Sequence, residues 1–159
     1  MLNDTICAIA TADVMGAVSL IRISGDEAIG ITERLIGKDL SAVKGYSIVY
    51  GTIKDHGEPV DDVLVSVFRA PKSYTGEDVI EVGCHGGVYI THRILSLVMG
   101  QGARMARRGE FTQRAYLNGK MDLSQAEGVN DLINAKDSNA AKSAMRSLKG
   151  SVSAILAPL

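Results

Sequence analysis

Several features that mark secreted, membrane-bound or nucleic-acid-coating proteins are missing from this sequence. Two cysteines are too few for a disulfide framework, so we expect Cys7 and Cys84 to be reduced, buried thiols. No apolar run reaches the length of a membrane span, and the first residues lack the basic start and the cleavage site of a signal peptide. The net charge of −1 argues against general binding to nucleic acid. We therefore expect a cytoplasmic protein that does not associate with a membrane.

Motifs for nucleotide hydrolysis and for metal binding are also missing. The phosphate-binding pattern G-x-x-x-x-G-K-[ST] does not occur, because residues 117–120 have neither its first glycine nor its serine or threonine. His56, His85 and His92 stand without cysteines or carboxylates at metal-ligand spacing, so we expect structural or solvent-exposed roles for them. The sequence thus predicts neither a metal site nor catalytic residues in this chain.

The sequence does contain both strand-like and helix-like hydrophobic patterns. Strand-like patterns cover the residue ranges 5–10, 17–23, 46–54, 60–68 and 79–84. Helical spacing is found over residues 28–36, after Gly87, over 110–117 and from about 123 onwards. A turn signal at residues 55–57 predicts a β-hairpin. Gly37 and residues 118–119 are predicted to end helices. A capping box for the next helix is predicted from Asp122 with Gln125 or from Ser124 with Glu127. We predict an α+β fold, with a mixed-sheet domain over residues 1–120 and the beginning of a helical domain over residues 121–159.

One of the predicted strands carries a carboxylate among apolar neighbours. In the stretch VIEVGC, residues 79–84, alternation places Glu81 and Gly83 on one face of the sheet. A charge in such a run is costly unless it is paired or hydrogen-bonded. Gly83 leaves empty volume beside the carboxylate. This strand is therefore the best candidate for a binding site.

The residues alone leave two explanations for Glu81 open. Arg22 is a lone charge inside another apolar strand, and the two side chains could form an internal ion pair of purely structural value. A carboxylate can also accept two parallel hydrogen bonds from an N–C–N edge, as it does from arginine. The 2-amino-4-oxo half of a pterin presents such an edge. Cations such as Arg22 and Lys120 would then suit an acidic tail on the same ligand.

Basic residues gather in the later part of the sequence, between positions 104 and 120. They are Arg104, Arg107, Arg108, Arg114 and Lys120, only partly balanced by acidic neighbours. The cluster predicts a solvated surface face. The alternative is a site that accepts a ligand carboxylate or an RNA backbone.

The last helical pattern has an apolar stripe without a partner. Its members recur at the helical spacing of three and four residues: Ala141, Met145, Leu148, Val152 and Ile155. We expect that the chain is a fragment that ends just inside a helical region. Self-association could instead cover the stripe.

Several long motifs resemble the N-terminal domain of the tRNA-modification GTPase family called MnmE or TrmE. They begin with NDTI at residues 3–6 and LIRISG at residues 20–25, followed by YTGED at residues 74–78 and CHGG at residues 84–87. The longest is RGEFT at residues 108–112, continued by RAYLNGKMDL at 114–123 and QAE at 125–127. The resemblance covers essentially the whole chain with its motifs in the family's order.

The resemblance implies a fold, a ligand and a set of ligand-binding residues. It implies a domain similar to the folate-binding domains of aminomethyltransferases, which in this family dimerises and binds 5-formyl-tetrahydrofolate in place of the one-carbon donor. The family's strand arginine falls on Arg22, its strand glutamate on Glu81 and its N-G-K-M-D-L lysine on Lys120. Glu81 would anchor the pterin. At least one of the two cations would lie near the ligand's polar edge or its glutamate tail.

The resemblance implies that the full-length protein has further parts that this sequence does not contain. They continue through a helical domain with an inserted GTP-binding domain, where GTP, Mg and K are used. They act with a flavin-dependent partner, MnmG, on the wobble uridine of certain tRNAs. The resemblance therefore implies a GTP-hydrolysing enzyme for the full-length protein and an inactive fragment for this chain alone.

The sequence departs from the family's pattern at two places. Residues 11–16, TADVMG, replace a loop that is usually rich in proline and glycine, so the affinity or the identity of the ligand could differ. Arg108 stands where the family usually has proline, which removes a rigid turn residue.

Two other functions are compatible with the same residues. In the first, Arg22 and Glu81 form a structural pair, and the domain is an interaction module that dimerises without a ligand. In the second, residues 104–120 bind tRNA directly, with an affinity that falls steeply as salt is added.

Overall fold

The computed structural model describes residues 4–11, 18–133, 139, 141–142 and 144–146. The chain divides into two compact units. The first consists of residues 1–73 and 77–107, and the second consists of residues 74–76 and 108–159. Compactness does not define an evolutionary domain, so the division into residues 1–120 and 121–159 stays a prediction. In the described ranges, no helix is both long and apolar enough to cross a bilayer.

The first unit is built on a six-stranded mixed sheet, which confirms the predicted α+β class. Its strands are β1 (Ile6–Ile9), β2 (Val18–Ser24), β3 (Ser47–Asp55), β4 (Glu58–Phe68), β5 (Val79–His85) and β6 (Arg104–Met105). Their order across the sheet is β3-β4-β5-β2-β1-β6. Neighbouring strands are antiparallel except β1 and β6, which run parallel. The predicted hairpin is β3 with β4, and His56 and Gly57 at its turn take the left-handed conformation.

Two helices of the first unit, α1 (Ala28–Ile36) and α2 (Val88–Gly100), pack on one face of the sheet. Helix α1 ends at Gly37, whose φ of 65° is left-handed, as the sequence predicted. The residues that face the helices are fully buried in one apolar core, with Ile21 and Ile80 from the strands and Ile31 and Ile94 from the helices. Each such side chain contributes about 1.5–3 kcal/mol when it leaves water.

The opposite face of the sheet is buried at one end and exposed at the other. Ser24 and Val79 are buried, whereas Val18, Tyr50 and Leu64 expose 66%, 57% and 55% of their surface. We call the exposed part the open face; it carries Val18, Leu20, Arg22, Ile48, Tyr50, Asp62, Leu64, Ser66, Glu81 and Gly83. The predicted alternation along β5 is confirmed, because Ile80, Val82 and Cys84 point into the core.

The second unit contains the helices α3 (Glu110–Leu117) and α4 (Leu123–Ile133). After α3, Gly119 is left-handed with a φ of 73° and turns the chain, as predicted. Of the two predicted capping boxes, Asp122 and Gln125 form one: the Asp122 N–H donates to Gln125 Oε1 at 3.0 Å and the Gln125 N–H donates to Asp122 Oδ1 at 2.8 Å. Residues 139, 141–142 and 144–146 are also helical. The rest of the predicted apolar stripe, from Leu148 onwards, lies outside the described residues.

Candidate functional site

Arg22 and Glu81 are joined where the open face borders the buried end of the sheet. They are register partners on β2 and β5. Arg22 Nε donates to Glu81 Oε2 at 2.8 Å, and Arg22 Nη2 lies 2.8 Å from the same oxygen. The two side chains expose 27% and 20% of their surface, so the pair is shielded but reachable from solvent. The ion pair that the sequence offered as one explanation of Glu81 is therefore formed. Whether Glu81 and Arg22 also bind a ligand stays a prediction.

Gly83, two positions further along β5, leaves the surface beside this pair unfilled. A Cβ atom built on Gly83 would meet only the carbonyl oxygen of Leu64, at 3.6 Å. The methyl side chain of alanine would fit there without strain, so packing within the sheet does not require a glycine. A glycine inside a strand often marks the close approach of a ligand.

A depression of about 400 Å³ lies over Gly83. Its lining includes Val18, Tyr50, Asp62, Leu64, Gly83 and His85, all in the first unit. A mostly apolar concavity with a few polar groups is the usual form of a small-molecule site.

A polar network forms one wall of the depression. Thr52 Oγ1 donates to Asp62 Oδ1 at 2.7 Å. A hydrogen bond to the Asp62 carboxylate also raises the pKa of the Tyr50 hydroxyl, because ionised tyrosine could no longer donate to it. Tyr50 offers the depression an aromatic surface that ends in a protonated hydroxyl.

His85 and Asp61 form a second polar group at the end of β5. The Asp61 carboxylate accepts the backbone N–H of His85 at 2.9 Å and lies 2.5 Å from Nδ1 of the His85 ring. The sequence predicted a structural or solvent-exposed role for His85 and did not single out Asp61. Asp61 could have been noticed as an acidic residue at the beginning of an alternating apolar stretch. The order of residues in the sequence does not show that Asp61 contacts His85.

Lys120 lies in the second unit and is exposed, directly after the turn that follows α3. Its backbone N–H donates to the Ala115 carbonyl at 2.8 Å. The loop segment 74–76 belongs to the same unit, and Asn118 Nδ2 donates to the Thr75 carbonyl at 2.8 Å. The predicted role of Lys120 toward a ligand stays a prediction.

One residue of the predicted basic surface cluster is not at the surface. Arg114 exposes only 2% of its surface, and its Nη2 lies 3.8 Å from Oε2 of the buried Glu110, one turn earlier on α3. Arg104 is bonded to Asp4 at 2.6 Å. The expectation of one solvated face is therefore wrong for Arg114, because its position on α3 faces inward and Glu110 neutralises its charge there.

The two cysteines are free and buried, as predicted. Burial raises the pKa of the Cys7 thiol from 9.0 to about 11 and also raises the pKa of Cys84. Both thiols are thus poor nucleophiles. In the described part of the chain, no three His, Cys, Asp or Glu residues are grouped so that they could hold a metal ion.

Comparison with known proteins gives one family and many relatives. Residues 5–120 match the family model described as the N-terminus of the GTP-binding protein TrmE. The chain is 50% identical over 156 residues to a protein of Lacticaseibacillus paracasei and 51% identical over 164 residues to one of Bacteroides thetaiotaomicron, both called tRNA modification GTPase MnmE. A third, of Latilactobacillus sakei, has the same name and is 52% identical over 156 residues.

The matches cover nearly all of this chain and a minor part of each relative. They include 96%, 100% and 96% of the chain, but only 34%, 35% and 34% of the three relatives. The chain thus spans about a third of the length of the curated relatives it matches.

Proposed function

This chain belongs to the TrmE N-terminal family, and from that membership we propose that it binds a tetrahydrofolate one-carbon donor, such as 5-formyl-tetrahydrofolate, and pairs with a second copy of itself. The observation that supports ligand binding best is the position of the Arg22–Glu81 pair. It lies on an exposed sheet face beside a glycine that packing does not require. A purely structural ion pair needs no such unfilled neighbour.

Glu81 would receive the N–H edge of the pterin. Both contacts from Arg22 fall on Oε2, and a carboxylate offers about four lone-pair sites. The ligand's two parallel N–H groups would take Oε1 and share Oε2 with Arg22. Because the carboxylate is 20% exposed, these hydrogen bonds would form in a partly water-excluded place, where charge-assisted bonds are strong.

Arg22 and Lys120 would supply positive charge. Arg22 already neutralises Glu81, so a pterin can be bound without burying an uncompensated charge. The family resemblance places Lys120 among the binding residues, where its exposed ammonium group would add a second positive charge.

A second copy of the chain would cover the exposed apolar surface. Val18, Tyr50 and Leu64 stand together on the open face with more than half of their surface exposed. Contiguous apolar surface of this kind marks interaction sites. Dimerisation through this face would also enclose the depression over Gly83 and exclude water from the bound ligand.

The complete protein would act as the names of the relatives say, as a tRNA-modification GTPase. We propose that GTP, Mg and K are bound by a GTPase domain outside this chain, that a MnmG-type flavoprotein is the partner, and that the wobble uridine of tRNA is modified. We place this work in the cytoplasm. The present chain would contribute folate binding and dimerisation and no GTP hydrolysis.

Calorimetric titration of the purified protein with 5-formyl-tetrahydrofolate tests the proposal. We expect saturable binding of one ligand per chain. A flat titration, with a protein that is folded and dimeric, would remove folate binding from its function.

An interaction module without a ligand is the second candidate function, and a specific observation favours it. Arg22 forms an ion pair with Glu81 in the protein alone, so the carboxylate does not need a ligand to balance its charge. This function predicts dimerisation that does not respond to folate. Direct binding of tRNA is less well supported, because Arg114 is buried beside Glu110 and cannot contact a phosphate. It would show as an affinity that falls steeply with salt.

A further inference from the structure

We infer that His85, oriented by Asp61, is a ligand-binding residue that contacts the part of the folate beyond its pterin ring. The inference rests on the proposed function and adds a contact that neither the family resemblance nor the names of the relatives assign. It depends on three observations: how Asp61 holds the imidazole, where His85 lies relative to Glu81, and what the depression between them contains.

Asp61 uses both of its carboxylate oxygens on a single residue. Oδ2 accepts the backbone N–H of His85 at 2.9 Å, and Oδ1 lies 2.5 Å from Nδ1 of its ring. The pairing of β4 with β5 begins at Leu64 and Gly83, so this side chain takes the place of a strand neighbour at the end of β5. Asp61 exposes 9% of its side chain and His85 exposes 70%. A nearly buried carboxylate thus fixes the orientation of an exposed ring.

The orientation defines what the free edge of the imidazole can do. A carboxylate only accepts hydrogen bonds, so Nδ1 carries the hydrogen in this contact. In the neutral ring, Nε2 is then a hydrogen-bond acceptor. A fixed acceptor on a ring that lines a concavity is a recognition group for an N–H donor.

His85 and Glu81 lie at opposite ends of one path across the open face. Residues 81, 83 and 85 alternate onto the same side of β5, and Glu81 and His85 are separated by roughly 13 Å along the strand. Between them is only Gly83, without a side chain. A ligand whose pterin edge is bound at Glu81 therefore passes over Gly83 before it reaches His85. The groups of a folate at that distance are the N–H and amide of its p-aminobenzoylglutamate, which can donate to Nε2.

The walls of the depression fit the same placement. Val18 and Leu64 offer apolar surface, and Tyr50 adds an aromatic ring. An aromatic p-aminobenzoyl group between such walls buries apolar area, whereas His85 supplies the polar contact that fixes its position.

The chain offers a matched control for His85. His56 also has its Nδ1 2.8 Å from an aspartate, Asp55, but its side chain is 98% exposed in the β3–β4 turn. In the part of the chain that the structure describes, His56 is not among the residues lining the depression over Gly83. His56→Gln therefore removes a similar His–Asp contact without touching the proposed site.

The test compares two ligands with the purified protein. One is 5-formyl-tetrahydrofolate, titrated by calorimetry; the other is 6-methyltetrahydropterin, which lacks the p-aminobenzoylglutamate and is measured by competition against the first. We expect His85→Gln to lower the affinity for 5-formyl-tetrahydrofolate by roughly tenfold, because one hydrogen bond is lost. The affinity for the pterin should not change. Asp61→Asn should likewise lower the affinity for 5-formyl-tetrahydrofolate and leave that for the pterin unchanged. His56→Gln should change neither affinity, and Glu81→Gln should lower both.

The outcomes separate this inference from the function on which it rests. If His85→Gln weakens both ligands equally, its role is structural and the inference is wrong; if it weakens neither, the contact does not exist. If the pterin does not compete with 5-formyl-tetrahydrofolate at the wild-type protein, the ring is not anchored at Glu81 and the placement fails. If the wild-type protein binds no folate, the proposed function itself is overturned.

Discussion

Arg22 and Glu81 face each other across β2 and β5, and two nitrogen atoms of Arg22 lie 2.8 Å from one oxygen of Glu81. Each is the only charged residue of its strand segment among apolar and small neighbours, apart from His85 at the end of β5. The pair thus serves the fold and stands where the proposed ligand would bind. These two roles can be measured separately.

The structural role predicts energetic coupling. Glu81→Gln should lower the free energy of unfolding by about 1–2 kcal/mol, because the charge of Glu81 no longer balances that of Arg22 at a partly buried place. Adding Arg22→Met to that variant should cost less than Arg22→Met alone, with a coupling of about 1 kcal/mol. Urea denaturation of the four proteins measures it. Additive effects would show that the contact does not stabilise the fold.

Gly25 is predicted to be the glycine least tolerant of substitution in the first unit. Its φ is +139°, and an added Cβ would lie 2.6 Å from Thr5 Oγ1 and 2.7 Å from Thr5 Cα. Gly25→Ala should destabilise by about 3 kcal/mol or more, since backbone atoms must move. Gly57→Ala is the control, with a φ of +84° and nothing within 4 Å of the added atom. It should cost about 1 kcal/mol from backbone strain alone. Equal losses in thermal or urea denaturation would refute the clash.

Because the Cys7 thiol is buried, we expect the folded protein to lose stability in alkaline solution. Burial raises the pKa of its thiol from 9.0 to about 11, so the folded chain keeps a proton that the unfolded chain releases. The contribution is fully present below pH 9 and is lost between pH 9 and pH 11. The loss reaches about 1.4 kcal/mol for each pH unit in that window. Tyrosines and lysines titrate there too, so Cys7→Ala is the reference.

The measurement is urea denaturation of wild-type protein and Cys7→Ala at about pH 8 and about pH 10.5. The wild-type protein should lose about 2 kcal/mol more than the variant between these pH values. The same pH dependence in both proteins would mean that the thiol is not buried as described.

Leu64 should be needed for dimerisation through the open face. Leu64→Glu places a charge in the centre of the apolar patch, and a buried unpaired charge is costly. We expect this variant to be a monomer in sedimentation equilibrium at concentrations where the wild-type protein is a dimer. Tyr89→Glu is the control, since Tyr89 is exposed on α2, on the other face of the sheet. A dimer that survives Leu64→Glu must use a different surface.

The parts of the fold that depend on local patterns could be predicted from the sequence. Alternation located β2, β4 and β5. Residue spacing offered two capping boxes, and the one of Asp122 with Gln125 is present with both of its hydrogen bonds. Such features involve residues a few positions apart, so the sequence contains all the partners.

Features that depend on distant residues could not be predicted. Strand β6 has two residues, too short for any periodicity, and exists because it pairs with β1 about a hundred positions earlier. The contact of Asp61 with His85 joins the ends of two strands, and the burial of Arg114 depends on how α3 packs. The sequence showed that Glu81 needs a partner. It did not show that Arg22 lies directly opposite, because the pairing of β2 with β5 sets that register.

The Glu81 carboxylate is the group that we propose anchors the folate. The most direct measurement is calorimetric titration with 5-formyl-tetrahydrofolate of the wild-type protein, of Glu81→Gln and of Glu58→Gln, an exposed glutamate at the start of β4 that serves as the control. An amide cannot accept two parallel N–H bonds, so Glu81→Gln should bind at least tenfold more weakly, a loss of about 1.4 kcal/mol or more. Glu58→Gln should bind like the wild-type protein. Unchanged affinity in a folded Glu81→Gln would contradict the claim.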